Sequence, residues 1–372
     1  MPRRLSSTVV FNGAAIACFL AASVTAQDRR TTPTFEGMEK NADGVRTRDE
    51  FPAALRRSFF DQIDANSDQR VTRAEDDAFR AKRRGRFGRQ VARPEQKLPD
   101  QVKTHRDLVY ATVGDRALPL DLYLPARAAT PTPLVLWIHG GGWKGGTKNG
   151  SNPAMILLPR GYAVASVEYR LSGEAIFPAA IADCKAAVSF LRAHANKFNL
   201  DPDRFGVWGS SAGGHLAALI GTTGDTDEFE THAIAAQTSS QVQAVCDWFG
   251  PTDFLRMNDF KGSIDHDAAK SPESLFIGAP IQDNPSLVAK ANPITYASKS
   301  DPPFLIMHGE VDDMVPYDQS VRLQKALRAV GVQSELVMIK GGNHGFRGAD
   351  ESREQLSSRS ADFFDAILKD KQ

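Results

Sequence analysis

Three short segments of the chain hold residues whose types and spacing could break an ester or amide bond. Residues 209–213 read Gly-Ser-Ser-Ala-Gly, after the apolar run Phe205-Gly206-Val207-Trp208 and before the helix-like His215-Leu216-Ala217-Ala218-Leu219. A serine on a sharp turn between strand and helix exposes its hydroxyl as a nucleophile, and small residues two before and two after let the elements pass without a Cβ clash. That spacing selects Ser211, midway between Gly209 and Gly213, over its neighbour Ser210. Such a hydroxyl needs a base to take its proton and a carboxylate to orient the base. His344 lies in Gly341-Gly342-Asn343-His344-Gly345-Phe346, after the strand-like Glu335-Leu336-Val337-Met338-Ile339. Asp312 lies in His308-Gly309-Glu310-Val311-Asp312-Asp313, after Pro303-Phe304-Leu305-Ile306-Met307. Asp312 ranks first as the orienting acid, with its neighbour Asp313 and Asp253 (in Gly250-Pro251-Thr252-Asp253) as alternatives. His139 and His308 each open a His-Gly turn after a strand-like run, and their expected part is to hydrogen-bond loop backbone.

Acyl transfer also places negative charge on the carbonyl oxygen, and backbone N–H groups aimed at it lower the barrier. The apolar run Pro133–Ile138 ends in His139-Gly140-Gly141-Gly142-Trp143. A glycine run after a strand can turn its amides toward a ligand oxygen, so Gly141, Gly142 and the residue after the nucleophile, Ala212, are assigned to that task.

The elements that must hold these groups alternate strand with helix, as in Tyr162–Val167 followed by a helix over 177–198 that starts near Pro178 and stops at Asn199. The alternation predicts an α/β fold, a mostly parallel sheet with helices on both faces. Asp201-Pro202-Asp203-Arg204 is turn chemistry. Residues 254–290 lack a clear period.

Taken together, His139-Gly-Gly-Gly-Trp143, Val167-Glu168-Tyr169-Arg170-Leu171, Phe177-Pro178, Gly209-Ser-Ser-Ala-Gly-Gly214, His308-Gly-Glu-Val-Asp312 and Gly342-Asn-His344-Gly resemble the hormone-sensitive-lipase-like carboxylesterases. More narrowly, they resemble the bacterial acetyl- and feruloyl-esterase-like branch of the α/β-hydrolases. The chain order Ser211, Asp312, His344 is the one found on that fold. The resemblance implies a catalytic domain over 98–372 that hydrolyses short-chain or carbohydrate-linked acyl esters without a cofactor, with residues 254–290 as a cap or lid over the acyl pocket. Glu168, where many relatives carry Asp or Asn, is read as outside the proton-transfer machinery.

The N-terminal part is built differently. Pro2-Arg3-Arg4, an apolar stretch centred on 14–22 and Val24-Thr25-Ala26 predict a signal peptide over 1–26 and an exported protein, periplasmic or secreted. The stretch is too short and interrupted to span a membrane, and Ala15-Ile16-Ala17 before Cys18 lacks a lipoprotein leucine, so no membrane anchor is expected. Residues 27–80 then offer two loops with oxygen ligands at calcium-binding spacing, which resemble an EF-hand pair in a small all-α module. The second supplies Asp64, Asn66, Asp68, the Arg70 carbonyl and Glu75, with Val71 placed to pair with a partner loop. Gln69 replaces its expected glycine, at a cost of about 1 kcal/mol. The first supplies Glu39, Asn41, Asp43, the Val45 carbonyl and Glu50, with Arg46 at the normally apolar position. An amphipathic helix over 51–63 is expected between them. Dockerin modules share the short spacing, but Phe51 directly after Glu50 favours an EF-hand. Ca²⁺ is expected to be structural.

The basic run at 81–97 lacks interleaved aromatics and reads as a solvated linker; with 45 basic against 45 acidic residues in the chain, nucleic-acid binding is not expected. Cys184 and Cys246 would be the cysteines left in the mature chain; they suit buried thiols or a disulfide, and no zinc-ligand spacing is present. The expected function is a serine carboxylesterase. An amidase or peptidase on the same fold, and a Ca²⁺-dependent binding protein with an inert hydrolase scaffold, are the competing readings.

Overall fold

Residue alternation along the central strands decides the architecture. Leu134, Leu136 and Ile138 pack into one apolar cluster and Val135 and Trp137 into another, so the strand is buried on both faces and must be covered on both. The computed structural model describes residues 45–50, 60, 63–79, 102–126, 128, 130–232 and 237–369. The expected signal peptide over 1–26, residues 39–44 with Glu39, Asn41 and Asp43, most of the expected helix over 51–63 and the basic run at 81–97 lie outside the described residues.

In the described N-terminal part, β1 (Val45–Thr47) and β2 (Arg70–Thr72) pair antiparallel with Arg46 opposite Val71. That part is therefore not all-helical: the segments between acidic loop and helix are extended.

The larger region, from residue 102 onward, contains β3 (Lys103–Val113), β4 (Arg116–Leu124), β5 (Thr132–Ile138), β6 (Ala163–Val167), β7 (Leu200–Ser210), β8 (Ala244–Trp248), β9 (Phe304–Gly309) and β10 (Ser334–Ile339). Their spatial order is β10-β9-β8-β7-β5-β6-β4-β3. The six strands from β10 to β6 are parallel, and β4 and β3 continue the sheet antiparallel. Gly114, at φ +57°, forms with Asp115 the two-residue turn of that edge hairpin. Because the chain leaves β5 to one side for β6 and crosses to the other for β7, a crevice opens at the carboxyl ends of these strands.

Helices α1 (Ala179–Ala193), α2 (Ala212–Thr222), α3 (Pro272–Ile277), α4 (Pro285–Ala291), α5 (Asp318–Ala329) and α6 (Arg353–Leu368) clothe the sheet. Ile181, Val188 and Leu191 of α1 and Leu216, Leu219 and Ile220 of α2 join the cluster of Leu134 and Leu136. Leu356, Phe364 and Leu368 of α6 join Val135, Trp137 and Trp208 on the opposite face. The expected single helix over 177–198 starts later and is broken. Phe177 gives its N–H to the Phe276 carbonyl at 2.8 Å instead of to a helix, and a separate turn (Ala195–Phe198) follows His194. The stop falls at Asn199, left-handed at φ +52°. Cys184 and Cys246 are both free, buried on opposite faces, so the sheet itself separates them. Among the described residues no helix is long and apolar enough to cross a membrane.

Gly206 shows how tightly α6 seats: a Cβ there would stand 2.7 Å from the ring of Phe364, which is fully buried. Phe364→Ala would leave a cavity under the centre of the sheet and is expected to cost about 3–5 kcal/mol. A urea titration should show a lower midpoint at unchanged slope; an unchanged midpoint would mean that α6 is not part of the cooperative core.

Candidate active site

The turn after β7 is set by contacts that admit no side chain. A Cβ on Gly209 would lie 2.0 Å from the Gly213 carbonyl oxygen, and one on Gly213 would lie 2.1 Å from the Ile138 carbonyl oxygen. Strand, helix and the neighbouring strand β5 thus meet at glycine. Between them Ser211 adopts φ +55° and ψ −124°, a conformation L residues avoid, at a cost of order 1–3 kcal/mol. Two backbone bonds hold it there: Ser211 N–H donates to the Trp248 carbonyl at 2.8 Å, and the Ser211 carbonyl accepts from His215 N–H at 3.0 Å.

His344 and Asp312 reach this serine from the loops after β10 and β9. His344 Nε2 is 3.0 Å from Ser211 Oγ and Nδ1 is 2.8 Å from Asp312 Oδ2. A carboxylate accepts, so Nδ1 carries the ring proton and Nε2 offers its lone pair to the hydroxyl. Asp312 Oδ1 accepts the Met314 and Val315 amides, both at 2.9 Å. His308 stands 3.4 Å from Oδ2 as well as hydrogen-bonding Ser320 Oγ and the Val315 carbonyl, a larger part than its expected bracing of backbone. Burial alone would push the Asp312 carboxyl up; hydrogen bonding from His308 and His344 and their charges overcome it and hold the group well below the usual carboxylate range. The ring of Phe249, itself at φ +47°, meets His344 edge-on at 4.9 Å.

The other candidate acids lie elsewhere. Asp253 faces Asn292 Nδ2 at 3.5 Å and Arg322 at 3.6 Å. Asp313 is exposed and uses its backbone, taking Ser263 N–H on its carbonyl at 2.6 Å and giving its N–H to Asn343 at 3.1 Å. Glu168 accepts Thr147 Oγ1 at 3.0 Å and the Lys148 N–H at 2.8 Å, bracing the loop beyond the glycine run. His139 gives Nδ1–H to the Gly140 carbonyl at 2.8 Å and stacks on Tyr169 at 4.4 Å.

The glycine run passes directly beside the nucleophile: a Cβ on Gly140 would come within 3.2 Å of Ser211 Cβ. Gly141 at φ +121° and Gly142 at φ +59° form a tight turn in which the Gly141 carbonyl accepts the Gly145 N–H at 3.0 Å. Ala212 opens α2, where a helix leaves its first N–H groups without intrahelical partners. The segment expected as a lid is folded down: Phe254, Phe276, Ile281 and Val288 are buried in the main core, and Pro272 lies 3.5 Å from where a Gly142 Cβ would be. Its missing period follows from its make-up of short 3-10 turns and helices of six and seven residues.

In the N-terminal part the two loops repeat one local device. Glu50 accepts from the Thr47 N–H at 2.8 Å, and Glu75 from the Thr72 N–H at 2.9 Å. Asp64 accepts the Asp68 and Gln69 amides, and Asp68 accepts the Arg70 amide. Gln69 adopts φ +65°, the conformation that glycine would supply at its position. Among the described residues no three His, Cys, Asp or Glu side chains converge as a ready-made metal cluster.

Sequence spacing gave no notice of Asp247. It is fully buried on β8, where its Oδ1 accepts the Gly250 N–H at 2.9 Å and so holds the turn carrying Phe249.

A mostly parallel sheet covered on both faces, with a serine turn after one central strand and acid and histidine after two later ones, defines an α/β-hydrolase. The chain belongs to the BD-FAE family, which matches residues 120–327, more than half of its length. It is 32% identical over 231 residues to the probable carboxylic ester hydrolase LipM of Mycobacterium tuberculosis, covering 61% of this chain and 52% of that one. With esterase LipQ of the same organism it shares 30% over 273 residues, covering 70% and 62%. The chain thus spans about half to three-fifths of the length of these curated relatives. Among solved structures, a truncated form of a carbohydrate esterase from gut microbiota is similar at TM-score 0.64 and 32% identity, covering 73% of this chain and 99% of that one. A bifunctional GH43-CE protein of Bacteroides eggerthii matches at TM-score 0.65 and 36% identity, covering 74% and 36%.

Asp247 generates a pH prediction. Burial pushes its carboxyl up to about 7, against the pull of the Gly250 N–H. An unfolded aspartate ionises near about 4, so between these values the native state holds a proton that the unfolded chain has lost, and stability falls as pH rises. Asp247→Asn keeps the acceptor and removes the titration. The variant's urea midpoint minus the wild-type midpoint should therefore rise from pH 4 to pH 7 and level off above. A difference that does not change with pH would show that Asp247 does not titrate in this way.

Proposed function

We propose that the protein is a serine carboxylesterase, with Ser211, His344 and Asp312 as its catalytic triad and short acyl esters, including those carried on carbohydrate, as its substrates. The hydrogen-bonded chain Asp312–His344–Ser211 is the observation that carries this reading. Ser211 Oγ attacks the ester carbonyl carbon while His344 Nε2 takes the hydroxyl proton. Asp312 keeps the ring in its productive tautomer and stabilises the imidazolium that forms. The amides of Gly141, Gly142 and Ala212 receive the oxyanion of the tetrahedral intermediate, where one lost donor typically costs about 10²–10³ in rate. Collapse breaks the ester C–O bond, and His344 returns the proton to the departing alcohol. Water then attacks the acyl-enzyme with His344 again as base, releasing the acid and restoring Ser211. Carbohydrate-linked esters are favoured by the likeness to a carbohydrate esterase along nearly all of that structure's length.

Ser211→Ala should abolish hydrolysis of p-nitrophenyl acetate with circular dichroism and melting unchanged, and Asp312→Asn should lower kcat roughly 10⁴-fold. Matched ester and anilide substrates should show the ester strongly preferred; retained activity in Ser211→Ala or an anilide preference would overturn the assignment.

For the N-terminal loops we propose a structural Ca²⁺ site. Asp64, Asn66, Asp68, the Arg70 carbonyl and Glu75 would hold the ion in the second loop. In the first, Val45 and Glu50 would act together with Glu39, Asn41 and Asp43. Support comes from Gln69 already in the required left-handed conformation and from the pairing of Arg46 with Val71, which sets the two loops side by side. An ion held there would compensate the charge of the loop carboxylates and take no part in the ester chemistry. Binding to the native state alone raises stability according to free Ca²⁺ over Kd, expected at about 10⁻⁴–10⁻³ M for an extracellular module. EDTA should lower the melting midpoint of the N-terminal module and leave kcat on p-nitrophenyl acetate within about twofold, the reach of a small-energy perturbation. Loss of esterase activity on chelation while the hydrolase region stays folded would overturn the independence of the two.

A further inference from the structure

His215 lies one helical turn beyond Ser211, fully buried, and the proposed reaction gives it no proton to move. Both of its ring nitrogens are nevertheless engaged. The Ala291 carbonyl can only accept, so its contact at 2.7 Å puts the ring proton on Nε2. The Trp143 indole N–H can only donate, so its contact at 3.2 Å needs the lone pair of Nδ1. The ring is a neutral, single tautomer, and burial favours that state by lowering its pKa to about 4 against the opposing Ala291 hydrogen bond.

The partners give this ring its meaning. Gly141 and Gly142 have no side chains with which to fix their own amides, and the first anchor after them is Trp143. Trp143 is itself left-handed at φ +55° and fully buried, stacked on Phe276 of α3 at 4.7 Å. Ala291 ends α4. One imidazole therefore ties the serine helix, the glycine loop and the cap together. We propose that His215 is a positioning residue of the oxyanion site, a neutral imidazole that pins Trp143, and through it the Gly141 and Gly142 amides, against the serine turn. The inference rests on the esterase reading above.

Three variants separate this role from simple core packing. His215→Phe keeps a ring and removes both hydrogen bonds. His215→Asn restores an acceptor close to the place of Nδ1, whereas His215→Gln restores a donor close to that of Nε2. All are assayed on the full chain, well below each unfolding midpoint. The readouts are kcat and KM on p-nitrophenyl acetate and inhibition by butylboronic acid, whose tetrahedral adduct on a serine places an oxygen where the oxyanion forms. The Phe variant is expected to lose about tenfold to a hundredfold in kcat with KM little changed, and to bind the boronate correspondingly less well. The Asn variant should recover most of both, and the Gln variant should not. Should the Phe variant fail to fold, the contrast between Asn and Gln carries the test. Wild-type kcat and boronate affinity in the Phe variant, or Gln matching Asn, would overturn the proposal. A wild-type protein that neither hydrolyses the ester nor binds the boronate would instead overturn the esterase reading itself.

Discussion

Backbone proximity around one strained residue underlies the rest of the structure. Ser211 is kept at φ +55° only because Gly209 and Gly213 let β7, α2 and β5 approach to distances at which a Cβ would collide with carbonyl oxygens. A conformation that costs of order 1–3 kcal/mol persists when its surroundings over-determine it. Here the Trp248 carbonyl and the His215 N–H supply that constraint from two different elements. The same closeness brings Gly140, at the head of the glycine run, alongside the nucleophile, so the loop that carries Gly141 and Gly142 starts from the serine turn itself. A larger residue at either glycine would disturb both together.

Two buried aspartates near this turn show that burial alone does not decide the charge of a group. The Asp312 side chain is shut away from solvent yet held ionised, because two backbone amides and two histidines surround its oxygens. Asp247 has one backbone donor, from Gly250, and its carboxyl is pushed upward. The first arrangement suits a group that must stabilise an imidazolium. The second suits a group that holds a turn, since its lasting contribution is to place Phe249 against His344. Desolvation is similar in kind at both sites, and the number of donors sets the outcome.

How much of this the sequence discloses depends on the distance over which each feature is determined. The serine turn, the glycine run and the histidine loop are local patterns, and their spacing is visible in a handful of residues. The choice among Asp312, Asp313 and Asp253 is not local. Adjacent aspartates differ only in which way one turn faces, and the amides of Met314 and Val315 that orient Asp312 appear only once that turn is folded. His215 reads as one more position on an apolar helix because its partners, Trp143 and Ala291, are 72 and 76 residues away. Residues 254–290 carry no period because they are folded as short turns wedged against a core on one side, with no element long enough to repeat. The antiparallel pairing of β1 with β2 agrees with the place of Val71 at a loop-pairing position, and only the all-α class assigned to residues 27–80 leaves no room for these two short strands.

The folded-down cap also changes how substrate access has to be understood. A mobile lid would keep its apolar residues out of the main core, so that opening exposes only modest apolar area. In this protein Phe254, Phe276, Ile281 and Val288 belong to the same cluster as the strands and α2. Lifting the segment would return several fully buried side chains to water, at about 1.5–3 kcal/mol each. It would also break the stack of Phe276 on Trp143 and the bond from His215 to Ala291. The segment is therefore better understood as part of the wall of the site than as its door. Its fixed contacts with Trp143 give the glycine loop a rigid backing, the preorganisation that the proposed oxyanion site would require.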